Sequence, residues 1–128
     1  MIQVKKIIYT PADIIAMFAV PQTVLAAPAS GFVNNILAIS HDMVFNANAY
    51  TVASGFIYKA IVGDPNIIFI DNDILNESID INHPVLKITS NFSAYSTIKA
   101  FKVTTNDLAA TGDSDVTAYI VYETVQLD

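Results

Sequence analysis

The chain has 128 residues, a net charge of −6, no cysteine and no arginine, and 53% of its residues are hydrophobic. That length suits one domain, residues 1–128, with a core of its own. Without cysteine there is no disulfide framework and no thiolate chemistry. With lysine as the only cation, the chain lacks the clustered arginine that phosphate recognition favours, which argues against nucleic acid and against an anionic membrane as partners.

Isoleucine (18), valine (12) and threonine (10) outweigh leucine (6). Branching at Cβ stiffens the side chain and favours pleated structure, so a mostly β fold is expected. Charged residues are 14% of the chain, against roughly 25% in a typical soluble domain. A surface so short of charge is expected to be hidden in part by other copies of the chain or by a partner.

Ile2 to Tyr9 reads as a first strand, and Lys5 with Lys6 suits an edge, where lysine discourages pairing with foreign strands. Thr10-Pro11-Ala12-Asp13 then starts a short helix, with Thr10 as N-cap, Pro11 at the first helical position and Asp13 completing a capping box. The helix runs to about Phe18, and Pro21 stops it. Gln22 to Ala26 is a short strand, and Pro28 and Gly31 punctuate the turn after it.

Phe32 to Phe45 is the longest apolar run and closes a tract without formal charge from Ile14 to His41. A signal peptide is disfavoured by Asp13, Pro11 and Pro21 inside the supposed apolar core. A membrane helix is disfavoured by Pro21, Gln22, Pro28, Gly31, Asn34 and Asn35. The remaining reading is a long strand covered on both faces, since odd and even positions are both largely apolar. Fourteen extended residues span about 46 Å, so a bend or bulge is expected near Asn34-Asn35 or Ser40-His41.

Further strands are expected at Ala49 to Ala53, Phe56 to Val62, Ile67 to Ile70, Val85 to Thr89 and Ile98 to Thr105. Asp115 to Leu127 alternates best, with Val116, Ala118, Ile120 and Tyr122 sharing one face. Gly63-Asp64-Pro65-Asn66, Asp71 to Asp80 and Asn106 to Ser114 read as turns or loops. About eight or nine strands with regular turn signals point to an all-β, antiparallel β-sandwich of jelly-roll type with one short N-terminal helix.

Chemistry-bearing patterns are sparse. His41 can approach Asp42, and His83 can approach Asp80, but neither histidine has metal-ligand spacing, and His83, in the Asn82-His83-Pro84 turn, is read as a hydrogen-bonded loop residue. Asp71, Asp73, Glu77 and Asp80, with Asp64 upstream, form the densest carboxylate cluster. Calcium is conceivable there, but Asp71-Asn72-Asp73 lacks the turn glycine and the spaced bidentate glutamate of an EF-hand, so a solvated acidic loop is preferred. No nucleophile elbow or phosphate-binding glycine loop occurs. The expectation is therefore no catalytic, cofactor or metal residues. Asn76-Glu77-Ser78 and Asn91-Phe92-Ser93 match glycosylation sequons, which matter only in a eukaryotic secretory context. The 13 phenylalanines and tyrosines read as core.

Two segments carry a resemblance. Thr23 to Thr51, through Ala27-Pro28, Gly31 and Ala49-Tyr50-Thr51, resembles small structural proteins of tailed bacteriophages, with Phe32 where that pattern has a lysine. Thr111-Gly112-Asp113-Ser114-Asp115 and the strand from Val116 to Val125 resemble the closing turn and last strand of that family. The resemblance implies a non-enzymatic jelly-roll-like subunit, often a homotrimer. It would sit on the virion as a head-decoration, head-fibre or tail-associated component, in contact with other capsid or tail proteins. Such a protein is made in the bacterial host cytoplasm without a signal peptide. The rival expectation is a carbohydrate- or receptor-binding β-sandwich module.

Overall fold

The structure, a computed structural model, describes residues 1–59, 67–71, 73–83, 87–88, 95–97 and 100–127. It is an all-β sandwich of antiparallel sheets with one short helix. The first sheet holds β1 (Ile2–Tyr9), β12 (Val116–Gln126), β3 (Phe32–Met43) and β7 (Ile81–His83), in that order, with β9 (Tyr95–Thr97) also on β3. The second runs β2 (Gln22–Leu25), β10 (Phe101–Thr105), β5 (Phe56–Lys59), β6 (Ile67–Asp71) and β8 (Lys87–Ile88). A separate pair joins β4 (Thr51–Val52) to β11 (Ala109–Ala110).

Both sheets feed one core. Ile36, Ile39, Val116, Ala118 and Ile120 from the first sheet are sealed from water, as are Val24, Phe56, Tyr58, Phe101 and Val103 from the second. The expected face of β12 is the inner one: Val116, Ala118 and Ile120 are buried and Tyr122 packs partly against the core. The helix α1 (Pro11–Met17) has the capping box read from the sequence, with Thr10 and Asp13 each accepting a backbone N–H from the other. Its Ile14 and Met17 are buried, and Thr104 Oγ1 donates to the Met17 carbonyl at 3.1 Å. It packs chiefly against β10, β11 and β1. It is therefore a plug beside β10, β11 and β1 and does not cover the outer face of β3.

The bulge in β3 falls at Leu37, between the two places expected. Val121 faces Ala38 and Tyr122 faces Ile36, leaving Leu37 as an extra residue. The extra residue reverses the inside–outside phase. Asn34 and Ile36 point into the sandwich before it, and Ile39, His41 and Met43 after it. This explains the two apolar faces in the sequence: odd and even positions take turns facing one core. The outward Asn35, Ala38, Ser40 and Asp42 are only half-buried, and Val44 is 73% exposed, so the double covering does not extend to Val44.

Other differences have similar causes. Residues 81–83, read as a turn because of Asn82-His83-Pro84, pair with β3 at Met43, Asp42 and His41. The strand expected at Ile98 to Thr105 is observed as β10, on the second sheet, while β9, just ahead of the expected strand, pairs with β3 on the first. The turn read at 63–66 lies outside the described residues. Gly31 has φ +86 and follows Ser30 in the turn closed by Phe32 N–H donating to the Ala29 carbonyl, a position that needs a left-handed residue. Among the described residues no helix is long and apolar enough to cross a membrane.

Candidate functional site

Five strands deliver side chains to one point between the sheets. Tyr9 is the last residue of β1, and Tyr58 alternates with Phe56 on the inner face of β5. His41 comes inward from β3 in the phase set by the bulge, and Asp71 closes β6 opposite Phe56. The antiparallel register of β3 and β7 sets His83 directly opposite His41.

The five side chains form a continuous line. Tyr9 Oη lies 2.9 Å from Tyr58 Oη, and Tyr58 Oη lies 2.6 Å from His41 Nε2. His41 Nδ1 is 2.7 Å from Asp71 Oδ2, and His83 Nδ1 is 2.8 Å from Asp71 Oδ1. Proton directions follow from the ends. Burial pulls the His41 pKa down against the opposing pull of the Asp71 hydrogen bond and charge, which keeps the ring neutral. Burial also pushes Asp71 up, but the hydrogen bonds that His41 and His83 donate to it outweigh that and hold the carboxyl below its ordinary range. A carboxylate only accepts. His41 therefore donates from Nδ1 to Asp71, its Nε2 accepts from Tyr58, and Tyr58 accepts from Tyr9. Burial raises the pKa of both phenols, so both keep their protons. Rings surround the line: His41 and Tyr58 stack at 5.6 Å, as do Tyr58 and Phe101, and Phe56 lies 4.9 Å from His41.

A carboxylate orienting a histidine that accepts from a hydroxyl is the arrangement of an activated nucleophile. Here Tyr58 and His41 are both 0% exposed, so no substrate atom has an approach to either. Their role is to satisfy one another in the core, where an unpaired polar group costs about 1–3 kcal/mol. The line reaches water only at its other end. The His83 side chain is 22% exposed and that of Asp73 66%, with His83 Nε2 3.6 Å from Asp73 Oδ1. Asp71, Asp73 and His83 can each bring one ligand atom within 4.8 Å of the others.

The sequence pairs each histidine with the wrong carboxylate. Asp42 accepts from Asn82 Nδ2, and Asp80 accepts from the Phe45 N–H at 2.8 Å. Nor is the acidic segment a simply solvated loop. Asp71 is 3% exposed, and Ile74 and Leu75, between the carboxylates, are fully buried. Glu77 is half-buried and Asp80 exposed. Asp64 and the second sequon lie outside the described residues. The usable signal was Asp71 itself, the polar end of a wholly apolar strand. Its partners depend on register and were not readable.

A second carboxylate organises the opposite kind of site. Asp113 Oδ1 accepts the backbone N–H of Ala47 at 3.1 Å and of Asn48 at 2.8 Å, while Oδ2 accepts the side-chain amides of Asn46 and Asn48. Those bonds, the Asn48 and Ala47 N–H first, hold its pKa below the ordinary range. Beside it Tyr50 Oη donates to the Ser114 carbonyl at 2.7 Å, and its ring covers Gly112 so closely that a Cβ there would lie 2.0 Å from Cδ1. The Ala49-Tyr50-Thr51 and Thr111 to Asp115 motifs, far apart in sequence, thus meet in space. Val52 (φ 70) and Thr111 (φ 61) hold left-handed backbone in this region, unusual for β-branched residues.

At the β2–β3 turn, an open cleft of about 420 Å³ is lined by Lys5, Phe32, Asn34, Tyr122 and Thr124, among others. Compared with protein-family models, curated proteins and solved structures, the chain matches none.

Proposed function

We propose that this chain is a non-enzymatic structural subunit of a tailed-phage virion that works by assembling with copies of itself, as a homotrimer, and with capsid or tail proteins. The observation that carries the reading is the outward face of the first sheet. Ile2, Val4 and Ile8 of β1 are 61%, 62% and 51% exposed, and the register sets Val121 beside Val4. In a chain with 14% charged residues, an edge-strand face that exposes three apolar side chains, with Lys6 between Val4 and Ile8, fits a surface that another subunit covers.

Two further observations support it. With β1, β2, β3, β5, β6, β7, β10 and β12 counted as eight principal strands, the sheets run 1-8-3-6 and 2-7-4-5, an order that supports the jelly-roll reading. The two motifs that resemble phage structural proteins also form one packed corner, through Tyr50, Gly112 and Asp113.

Sedimentation velocity on the purified chain is expected to give a trimer, with Val4→Glu and Ile8→Glu shifting it to smaller species while circular dichroism stays unchanged. A wild-type monomer at micromolar concentration overturns the assembly reading. Mass spectrometry of purified particles tests the virion assignment directly. A carbohydrate- or receptor-binding module is the second reading, favoured by the cleft that Lys5, Phe32, Tyr122 and Asn34 help to line. A glycan array, with a Tyr122→Ala control, decides it.

A further inference from the structure

We propose that Asp71, Asp73 and His83 form a binding site for a divalent transition-metal ion of the zinc class. The ligand chemistry selects the ion. One imidazole and two carboxylates suit zinc and its neighbours, whereas calcium requires six to eight oxygen ligands and gains little from imidazole.

The geometry is close to what such an ion needs. Ligand atoms around a tetrahedral zinc stand about 3.4 Å apart, given bonds of about 2.0–2.2 Å. His83 Nδ1 donates to Asp71 Oδ1 at 2.8 Å, Asp73 Oδ1 lies 3.6 Å from the other ring nitrogen, Nε2, and one ligand atom from each of the three residues falls within 4.8 Å of the others. An ion between His83 Nδ1 and Asp71 displaces the ring proton to Nε2, where it faces Asp73 and solvent. Asp73 sits in an exposed turn and swings to supply the third ligand; water takes the open position.

A second, independent observation is the support behind Asp71. Its other oxygen already accepts from His41 Nδ1, and His41 is fixed in turn by Tyr58 and Tyr9. A ligating carboxylate immobilised by hydrogen bonds from behind is the usual second layer of a metal site. Asp71 is also a buried anion whose ion-pair partners among the described residues are histidines and never a lysine. A cation at the exposed end of the line compensates that charge without having to enter the core. Because Asp71 lies on β6 and His83 on β7, the ion would also tie the second sheet to the first.

The test uses the full chain, stripped with a chelator and titrated calorimetrically at neutral pH with zinc chloride and, in parallel, calcium chloride. One equivalent of zinc per chain and no calcium uptake are expected. Asp73→Asn, an exposed change, is expected to weaken zinc binding by about tenfold or more, as is His83→Gln, while Glu77→Gln in the same segment binds like the wild type. Cobalt substituted for zinc should show tetrahedral visible bands that Asp73→Asn removes. No zinc uptake, calcium taken up in its place, or unchanged binding in Asp73→Asn overturns the proposal. If His83→Gln does not fold, Asp73→Asn decides alone. The outcome does not depend on whether the chain is a trimer.

Discussion

Asp71 and Asp113 are both carboxylates held below the ordinary pKa range, and they reach that state by opposite routes. Asp71 is 3% exposed. It keeps its charge in the core because two imidazole N–H groups donate to it, and it links residues of four other strands. Asp113 lies half-buried at the surface and accepts backbone N–H groups from the 46–48 turn, like a helix cap applied to a loop. Losing a partner in the core strands a polar group where water cannot replace it. Losing one at the surface hands the same group to solvent. A shifted carboxylate alone therefore says little about what the residue contributes; the surroundings of its partners decide that.

Removing each carboxylate gives the widest separation. Asp71→Ala leaves the His41 and His83 N–H groups without an acceptor and should cost about 3 kcal/mol or more in urea unfolding. Asp113→Ala should cost clearly less, because water can take over its donors. Equal losses would erase the contrast. Near Asp113 the larger effect should come from packing. Gly112→Ala pushes a methyl group into the Tyr50 ring and should destabilise by about 1–3 kcal/mol. Tyr58→Phe removes the hydroxyl between Tyr9 and His41, with an expected loss of about 1–2 kcal/mol.

Acid sharpens the comparison further. The His41 pKa is lowered in the folded chain, so as pH falls below about 6.5 the unfolded chain binds a proton first. Stability is then full above that value and lost as pH falls through the folded pKa. Asp71 and Asp113, also lowered, contribute stability that is present above the ordinary carboxylate range and lost below it. Urea midpoints measured from pH 8 to pH 3 should show two stages of loss. His41→Gln should remove the upper stage and leave the lower one, whereas Asp113→Asn should affect only the lower. A single stage in the wild type would mean that His41 does not resist charging.

Local signals in the sequence were legible because neighbours along the chain create them. The Thr10–Asp13 capping box needs only four residues, and the alternation of β12 needs only its own side chains. The Asp71 site has no such locality: His41 and Asp71 are 30 positions apart, and Tyr9 and Tyr58 are 49 apart. His83 was hidden further by its own neighbourhood, because Asn and Pro beside it read as a turn while β3 recruits it as a strand.

Side-chain branching and alternation act at each residue, so a β-rich, charge-poor chain with one capped helix and a long central strand follows from the residues alone. Which faces are inner does not. A single extra residue at Leu37 reverses the phase of β3, and pairing register is set by whole strands meeting one another. That same register placed two distant histidines on one buried carboxylate, because opposite positions on paired strands must share whatever polar group the core provides.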